Sequence, residues 1–241
     1  MQGLIMAAGK GSRIYCLTDG EPKSFLPIHG EKLIERNVRM LKERGITAIT
    51  IVVGYRDDAF YDLFGNRTDV DIHFVYNPFF PLANVISSYW MAREAVHDDF
   101  VYMHADTICE DSLFDRLLAH PGDIVLPVDT KPCDEEAMKV QVVDGKVVRI
   151  TKKMPVSDAV GEFIGIARFS KATVPALAQA ADEVLHEQRF DEYFEAAIQR
   201  VLDRRLFDAE MLDTQGARWQ EVDFEEDYKR AKKLFEDGNL A

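Results

Sequence analysis

The chain has 241 residues and a formal net charge of −13 at pH 7, with 47% hydrophobic and 29% charged residues. This length can bury one substantial hydrophobic core, and the composition is that of a folded globular protein. The negative charge repels nucleic acid and anionic membrane surfaces, so we expect neither as a partner.

The sequence shows no targeting or membrane-spanning segment. No apolar run approaches the ~20 residues that a membrane helix needs. Residues 1–3 lead into a strand without a basic region or a cleavage site. Cys16, Cys109 and Cys133 lie far apart, which predicts neither a zinc site nor a disulfide framework. We therefore expect a cytoplasmic protein; the oligomeric state stays open, with a homodimer as one option.

The first half of the chain alternates between apolar strands and amphipathic helices. Strands are predicted at 2–6, 48–53, 71–75, 99–104 and 123–128. Helices are predicted between them at 31–44, 56–64, 84–96 and 111–119. This alternation predicts an α/β fold with a doubly wound, mostly parallel sheet. In such a sheet the ligand binds at the carboxyl ends of the strands.

The pattern changes from about residue 138. Strands at 138–143 and 146–151 flank the turn Asp144-Gly145, and another strand is predicted over 162–169. The remaining elements are helices at 171–186 and 191–203, a strand at 218–222 and a final helix at 225–236. No linker rich in Pro, Gly or Ser divides the chain, so we predict one domain over 1–241 with an inserted β segment at about 130–170.

The first strand runs into a loop of small residues, Ala7-Ala8-Gly9-Lys10-Gly11-Ser12-Arg13, and Pro22-Lys23 follows. Such residues let backbone N–H groups approach a polyphosphate, while Arg13 and Lys23 meet its charge. The spacing lacks the last glycine of a dinucleotide loop and the upstream glycine of an ATPase loop. The loop therefore predicts a nucleotide site of another class.

Two acidic residues end separate predicted strands. Asp106 follows the strand at 99–104, and Asp223 follows the strand at 218–222. Carboxylates that converge from strand ends can hold Mg²⁺ against phosphates and neutralise charge on a pyrophosphate leaving group. The alternative is that Asp106 caps a turn and Asp223 caps the last helix. Together with the glycine loop, the pair favours a magnesium site.

These motifs resemble those of the sugar-phosphate and alcohol-phosphate nucleotidyltransferases, which share a Rossmann-like fold. The resemblance covers almost the whole chain and is greatest to the small cytidylyltransferases that activate phosphocholine and related compounds. Three stretches carry it beyond the glycine loop: Asn84-Val85-Ile86-Ser87-Ser88, His104-Ala105-Asp106 and Glu221-Val222-Asp223. It implies transfer of a cytidylyl group from CTP with release of pyrophosphate.

The resemblance also implies roles for individual residues. Arg13, Lys23 and Asp106 would be catalytic, and Asp106 with Asp223 would hold Mg²⁺. The nucleotide would contact Ala7, Ala8, Gly9, Gly11, Ser12, Asn84 and Ser88. The acceptor's own phosphoryl oxygen would attack the α-phosphorus, so that catalysis rests on positioning and charge neutralisation.

The acceptor is expected to contact the inserted segment and the helix that follows it. The resemblance implies Lys152 or Lys153, with Lys153 chosen, for the acceptor's phosphate or phosphonate. Tyr193, Phe194 and Glu195 match an aromatic and acidic helix that closes over choline, although Ala137 stands where a tryptophan is expected. Glu162 could pair with a primary ammonium. Lys152-Lys153 together with Gly161-Glu162-Phe163-Ile164-Gly165 resembles a pattern of the cytidylyltransferases found with phosphonate biosynthesis. This resemblance implies 2-aminoethylphosphonate as the favoured acceptor, followed by phosphocholine.

Two other functions stay open at this stage. A sugar-1-phosphate nucleotidyltransferase would share the fold, but Ala7-Ala8 replaces the usual Gly-Gly. A non-catalytic nucleotide-sensing domain would have less need of Lys23 and both acids. His104, on the same strand face as Asp106, is interpreted either as a contact of the acceptor or of metal-bound water, or as a hydrogen-bonded structural residue.

Overall fold

The structure is a computed structural model and describes residues 1–235. The strands are β1 Gln2–Met6, β2 Pro27–Ile28, β3 Glu31–Lys32, β4 Ala48–Val53, β5 Asp71–Tyr76, β6 Phe100–His104, β7 Thr107–Cys109, β8 Ile124–Asp129, β9 Lys139–Val143, β10 Lys146–Thr151, β11 Gly161–Phe163, β12 Ile166–Phe169, β13 Ala209–Asp213 and β14 Trp219–Glu221. The helices are α1 Tyr15–Thr18, α2 Leu33–Glu43, α3 Asp57–Phe64, α4 Val85–Ala92, α5 Asp111–Ala119, α6 Val174–His186, α7 Glu195–Asp203 and α8 Glu225–Leu234.

Ten strands form one mixed sheet in the order β11-β9-β10-β13-β8-β12-β6-β1-β4-β5. Strands β6, β1, β4 and β5 are parallel to one another, and β13 is parallel to β8. Strand β12 lies between these two groups of parallel strands and pairs in antiparallel fashion with β6 of the first group and β8 of the second. The strands of the inserted segment, β9 to β11, extend the same sheet by antiparallel pairing. The predicted α/β fold is confirmed.

The two faces of the sheet carry separate hydrophobic cores because successive side chains of a strand point to opposite faces. Leu4 belongs to the core that contains residues of α4, α6 and α7. Its neighbour Ile5 belongs to the core that contains residues of α2, α3 and α5. Helices therefore cover both faces, and the parallel strands are buried on both sides, as their continuous apolar sequences require.

Several predicted elements differ from the structure at their boundaries. The helices predicted over 84–96 and 171–186 are observed as α4 Val85–Ala92 and α6 Val174–His186. The strand predicted over 162–169 is divided into β11 and β12, because Gly165 has a φ of 78°, a conformation incompatible with a continuing strand. The helix predicted over 191–203 begins only at Glu195. The final helix ends at Leu234, and residue 236 of the predicted range lies outside the described residues.

Strand β13 was not predicted from the sequence, because a short strand of mixed polarity gives a weak periodic signal. It pairs with β8 and β10 and thereby connects the inserted segment to the rest of the sheet. Between residues 1 and 235, the helices all fall short of the length and apolar character that crossing a bilayer demands.

Candidate active site

A polar cleft of about 400 Å³ lies where the loops after β1 and β6 meet the chain that follows β14. This is the carboxyl end of the parallel strands, where ligands bind in open α/β sheets. Of the residues predicted for the site, the cleft is lined by Ala8, Gly9, Gly11, Ser12, Arg13, Lys23, Asn84, Ser88, Asp106, Tyr193, Glu195 and Asp223. Residues separated by more than 200 positions in the sequence thus share one cavity.

The glycine loop forms one wall of this cleft. Gly11 has a φ of 63°, and a Cβ added there would lie 2.6 Å from Cβ of Lys23. Only glycine therefore lets the loop bend this way and lie against the lysine stem. Ala7 is buried in the core beneath the loop and does not line the cleft. The loop thus presents backbone and small side chains to the cavity.

Lys23 is the central cation of the cleft. Its Nζ lies 2.5 Å from Oδ2 of Asp106 and 2.6 Å from Oδ1 of Asp223. Burial opposes the charge on Lys23, but the two carboxylates outweigh it and raise the pKa of the lysine above its ordinary value. Burial would raise the pKa of Asp223, but Lys23 and Arg13 overcome it and hold the pKa below the usual value. The three groups form a charged cluster.

Backbone pairing explains why the two acids meet. Strand β7 directly follows Asp106, and it pairs in antiparallel fashion with β14, which directly precedes the segment containing Asp223. The Val222 N–H also donates to the carbonyl oxygen of Asp106 at 3.0 Å. Asp227, rather than Asp223, accepts the N–H group of Phe224 at the start of α8. The Asp223 carboxylate is thereby directed to Lys23 instead of capping the helix.

Arg13 lies at the mouth of the cleft and is about half exposed, at 53%. Its guanidinium is 3.8 Å from Asp223 and 3.9 Å from Glu136, and it lies over the Phe224 ring at 5.2 Å. These are long contacts at a solvent-exposed group, which contribute little stability. Arg13 can therefore change partners at small cost when an anion enters.

His104 lines the floor of the cleft, where two side chains hold it. Its Nε2 lies 2.9 Å from the Tyr102 hydroxyl, and its Nδ1 lies 3.2 Å from Oε1 of Glu221. Burial opposes protonation, but the hydrogen bond and charge of Glu221, together with nearby Glu195 and Asp106, raise the pKa of His104 to about 9. The geometry shows a hydrogen-bonded histidine at the floor of the cleft.

Among the described residues that line the cleft, two groups of side chains could hold a metal ion. Asp106 and Asp223 already share one cation, the Lys23 ammonium, and they offer the oxygen ligands that Mg²⁺ prefers. His104, Asp106 and Glu221 also have ligand atoms within 4.8 Å of one another. The donor set of the first group fits a hard divalent cation, and Asp106 belongs to both groups.

Asn84, which directly precedes α4, and Ser88, in the first turn of that helix, also line the cleft. Asn84 caps this helix by accepting the N–H of Val85 at 2.8 Å. The Ser88 hydroxyl accepts a hydrogen bond of 3.0 Å from Asn77. The two side chains are therefore held in place by neighbours and form a fixed edge of the cavity.

The residues predicted for the acceptor are divided by the structure. Tyr193 and Glu195 line the cleft, whereas Phe194, which lies between them, is fully buried and packs against Tyr89 and Tyr102. Tyr193 and Phe194 precede α7, which begins at Glu195, so they do not lie on the helix that the sequence predicted over 191–203.

The remaining two predicted acceptor residues lie outside the cleft. Glu162 pairs with Lys131 at 3.3 Å, and Lys153 pairs with Glu192 at 2.7 Å. Lys152 lines the cleft instead, with its ammonium 4.8 Å from the centre of the Tyr193 ring. The sequence offered both lysines at a strand end and gave no signal that distinguished them.

Glu195 is the unusual acid of the site. Its side chain is almost completely buried, with 2% of the residue exposed, and neither carboxylate oxygen has a hydrogen-bond partner among residues 1–235. Burial raises the pKa of this carboxyl, opposed in part by the charge of His104. Buried carboxylates are normally paired, and none of the described residues supplies a hydrogen-bond donor to this one.

Sequence reasoning also missed several residues that line the cleft. Phe80, Met138 and Phe163 supply apolar wall, and Glu221 supplies a further carboxylate. The three apolar residues come from separate loops and strands, and nothing in their local sequence distinguishes them from core positions. Glu221 was visible only as part of the motif that contains Asp223.

The family model of the MobA-like NTP transferase domain matches residues 3–196 of the chain, well over half of its length. The chain belongs to this family. The predicted nucleotidyltransferase superfamily and enzyme class are confirmed. The matched segment contains the glycine loop, Lys23, Asp106 and Glu195, whereas Asp223 lies beyond it.

Individual relatives of this MobA-like domain act on different acceptors. A CTP:phosphoglutamine cytidylyltransferase of Campylobacter jejuni is 24% identical over 94% of this chain and 97% of its own length. A CMP-5'-(3-aminopropyl)phosphonate synthase of Streptomyces rubellomurinus is 29% identical over 50% of this chain and 19% of its own length. The solved CTP:phosphocholine cytidylyltransferase of Streptococcus pneumoniae superposes with a TM-score of 0.78 at 21% identity, covering 97% of this chain and 98% of that one. The last likeness shows a shared fold.

Proposed function

We propose that the chain transfers the cytidylyl group of CTP to a small phosphonate or amino-alcohol phosphate and releases pyrophosphate. Our first choice of acceptor is 2-aminoethylphosphonate and our second is phosphocholine. The observation that carries the choice of acceptor is Glu195, a buried carboxylate at the cleft wall whose oxygens lack partners among the described residues.

A buried carboxylate without hydrogen bonds calls for N–H or O–H donors. A primary ammonium offers three N–H donors as well as a positive charge, whereas a trimethylammonium group offers no donor. Tyr193 supplies an aromatic face in the same cleft as Glu195, whereas Ala137, the position where the resemblance expects a tryptophan, is buried and does not line the cleft. These features favour a primary amine over choline.

The phosphorus end of the acceptor has its own partners in this proposal. Lys152 lies in the same cleft as Glu195 and has no acidic partner within ion-pair distance among the ion pairs of residues 1–235. Its ammonium can therefore meet the negative phosphonate, while Glu195 meets the ammonium at the other end. A zwitterionic acceptor satisfies both charges, which a neutral hexose bearing only a phosphate does not.

The reaction itself needs no covalent intermediate on the protein. An oxygen of the acceptor's phosphonate attacks the α-phosphorus of CTP and forms a new P–O bond. The bond from that phosphorus to the bridging oxygen breaks, and pyrophosphate leaves with the electron pair. Arg13 and Lys23, which flank the glycine loop, can neutralise the triphosphate throughout.

A divalent cation, which we take to be Mg²⁺, would be held by Asp106 and Asp223. These side chains fit it because both already contact one positive charge. When bound, it supplies further neutralisation of the phosphates and of the pyrophosphate leaving group. The choice of CTP among nucleotides rests on the cytidylyltransferase relatives and on Ala7-Ala8 in the loop.

Product formation tests the proposal. Purified chain is incubated with Mg²⁺, each of CTP, UTP, dTTP, GTP and ATP, and a panel of acceptors. The panel contains 2-aminoethylphosphonate, phosphocholine, inositol 1-phosphate, phosphoglutamine and glucose 1-phosphate. Pyrophosphate release and the mass of the product are measured. We expect the fastest pyrophosphate release with CTP and 2-aminoethylphosphonate. Pyrophosphate release with hexose 1-phosphates alone would refute the proposal.

Substitution of Asp106 separates an enzyme from a nucleotide sensor. We expect Asp106→Ala to lower product formation by at least about 100-fold, because charge stabilisation at the reacting phosphates is lost. CTP affinity, measured by calorimetry without metal, should change less than about threefold, because the triphosphate still meets the glycine loop and Arg13. A nucleotide sensor would show no product with either protein.

A further inference from the structure

We propose that Lys23 is an exchangeable counterion that neutralises Asp106 and Asp223 in the nucleotide-free protein and leaves them when the triphosphate binds. A divalent cation is then excluded from the free protein and binds only together with the nucleotide. This inference rests on the proposed function in one respect, the assignment of Asp106 and Asp223 as metal ligands.

The geometry places one ammonium against both carboxylates. Nζ of Lys23 lies 2.5 Å from Asp106 and 2.6 Å from Asp223, and the lysine side chain is only 13% exposed. Asp106 is 20% exposed and Asp223 is 34% exposed, so water screens the cluster incompletely. These are short, charge-assisted contacts, unlike the long contacts that Arg13 makes nearby.

This arrangement opposes metal binding by the free protein. A divalent cation between the carboxylates would lie beside the Lys23 ammonium, and the like charges would repel at short distance in a poorly screened site. If the lysine moved away without a new partner, it would lose both of its ion pairs. The free energy lost with these ion pairs would offset part of the free energy of metal binding, so the protein would bind the metal more weakly.

A triphosphate removes this obstacle because it offers the lysine another anion. The stem of Lys23 already packs against the glycine loop, where a Cβ on Gly11 would lie 2.6 Å from Cβ of Lys23. The ammonium can therefore reach phosphates bound at that loop by rotating its own side chain. Arg13 can make the same exchange from Asp223 and Glu136. The freed carboxylates then become available to the metal that accompanies the phosphates.

Binding of Mn²⁺ in the absence of any nucleotide tests the exchange. Mn²⁺ accepts the same oxygen ligands as Mg²⁺, and the free ion is counted by its paramagnetic resonance signal. We expect Lys23→Ala to bind one Mn²⁺ at least about tenfold more tightly than the unchanged protein, because the competing charge is gone. Lys23→Met keeps the aliphatic stem and should show the same gain in Mn²⁺ affinity, so it replaces Lys23→Ala if that variant does not fold.

Three further proteins complete the experiment. Lys23→Arg keeps a cation at the carboxylates and should bind Mn²⁺ as weakly as the unchanged protein. Lys10→Ala removes a lysine of the glycine loop whose ammonium lies over the Tyr15 and Tyr55 rings, and it should leave Mn²⁺ binding as weak as in the unchanged protein. Adding Asp106→Asn to Lys23→Ala should abolish the gain.

Two results would overturn the inference, and each is distinguishable from failure of the cytidylyltransferase proposal. If the dissociation constants of the unchanged protein and of Lys23→Ala for Mn²⁺ differ by less than about threefold, Lys23 does not exclude the metal. If neither Lys23→Ala nor Lys23→Met gains a site, the two carboxylates do not bind the metal. CTP turnover by the unchanged protein, measured separately by product mass, decides the proposed function in either case.

Discussion

The ammonium of Lys152 lies 4.8 Å from the centre of the Tyr193 ring and faces the cleft, so the chain directs this lysine to the same cavity as the glycine loop. Lys153, its neighbour in the sequence, points elsewhere and pairs with Glu192 at 2.7 Å. Residues 152 and 153 lie in a turn that follows β10, where the two side chains diverge, and the structure decides which of the two can meet an acceptor.

We therefore predict different results for the two lysines. Lys152→Met should lower kcat/KM for the acceptor by about 10- to 100-fold, mainly through a higher KM, because a charge-assisted contact to the phosphonate is lost. Lys153→Met should change it by less than about threefold. Steady-state kinetics at saturating CTP measure both, and the opposite order would assign the acceptor contact to Lys153.

Glu195→Gln tests the proposed partner of the acceptor's ammonium. The change keeps the size of the side chain and removes its charge, so kcat/KM for 2-aminoethylphosphonate should fall by about 10- to 100-fold. The KM for CTP should stay within about threefold. Glu183→Gln is the matched control, since Glu183 pairs with Arg200 and Arg204 and does not line the cleft. Equal losses in both variants would contradict a specific role for Glu195.

The same substitution predicts a change in stability with pH. Burial holds the pKa of Glu195 above its ordinary value, so the folded protein binds this proton more tightly than the unfolded chain does. The free energy of unfolding should therefore fall as pH rises from about 4.3, the ordinary glutamate pKa, through the raised pKa of the folded state. Urea unfolding at pH 4, 5.5 and 7 should show that the stability of Glu195→Gln relative to the unchanged protein increases with pH. A constant difference would mean that Glu195 is not desolvated.

Gly165 is predicted to be required for the position of His104. A Cβ at Gly165 would lie 2.6 Å from Nδ1 of His104, and the φ of 78° is itself unfavourable for alanine. Gly165→Ala should lower the free energy of unfolding by about 2 kcal/mol or more, and it should lower kcat. The matched control is Gly145→Ala, where φ is 77° but no atom lies within 4 Å of the added Cβ.

That control isolates the backbone contribution, which we expect to be about 1 kcal/mol without loss of kcat. Chemical unfolding and steady-state kinetics on both alanine variants provide the comparison. If the two variants lose equal stability, the contact between Gly165 and His104 has no energetic consequence.

Much of the fold could be predicted from local sequence. The parallel strands at 48–53 and 99–104 are continuous apolar runs, and the helices between them have a clear period, because both elements are formed by short-range interactions. The glycine loop and Lys23 were recognisable for a similar reason, since phosphate binding depends on the backbone conformation of a short segment. The breaks at Gly165 and before Glu195 were not, because each depends on what the chain packs against.

The sequence by itself thus determined an α/β chain with a phosphate loop, two cations and a set of acids at strand ends. Only the tertiary structure decided that β7 pairs with β14 and brings Asp106 to Asp223, that Lys23 lies between them, and that Glu195 is buried without a partner among the described residues. Distances between residues more than 100 positions apart depend on the pairing of distant strands, which no local pattern encodes. Local periodicity determines where helices and strands form, whereas long-range packing determines which charged side chains lie close together.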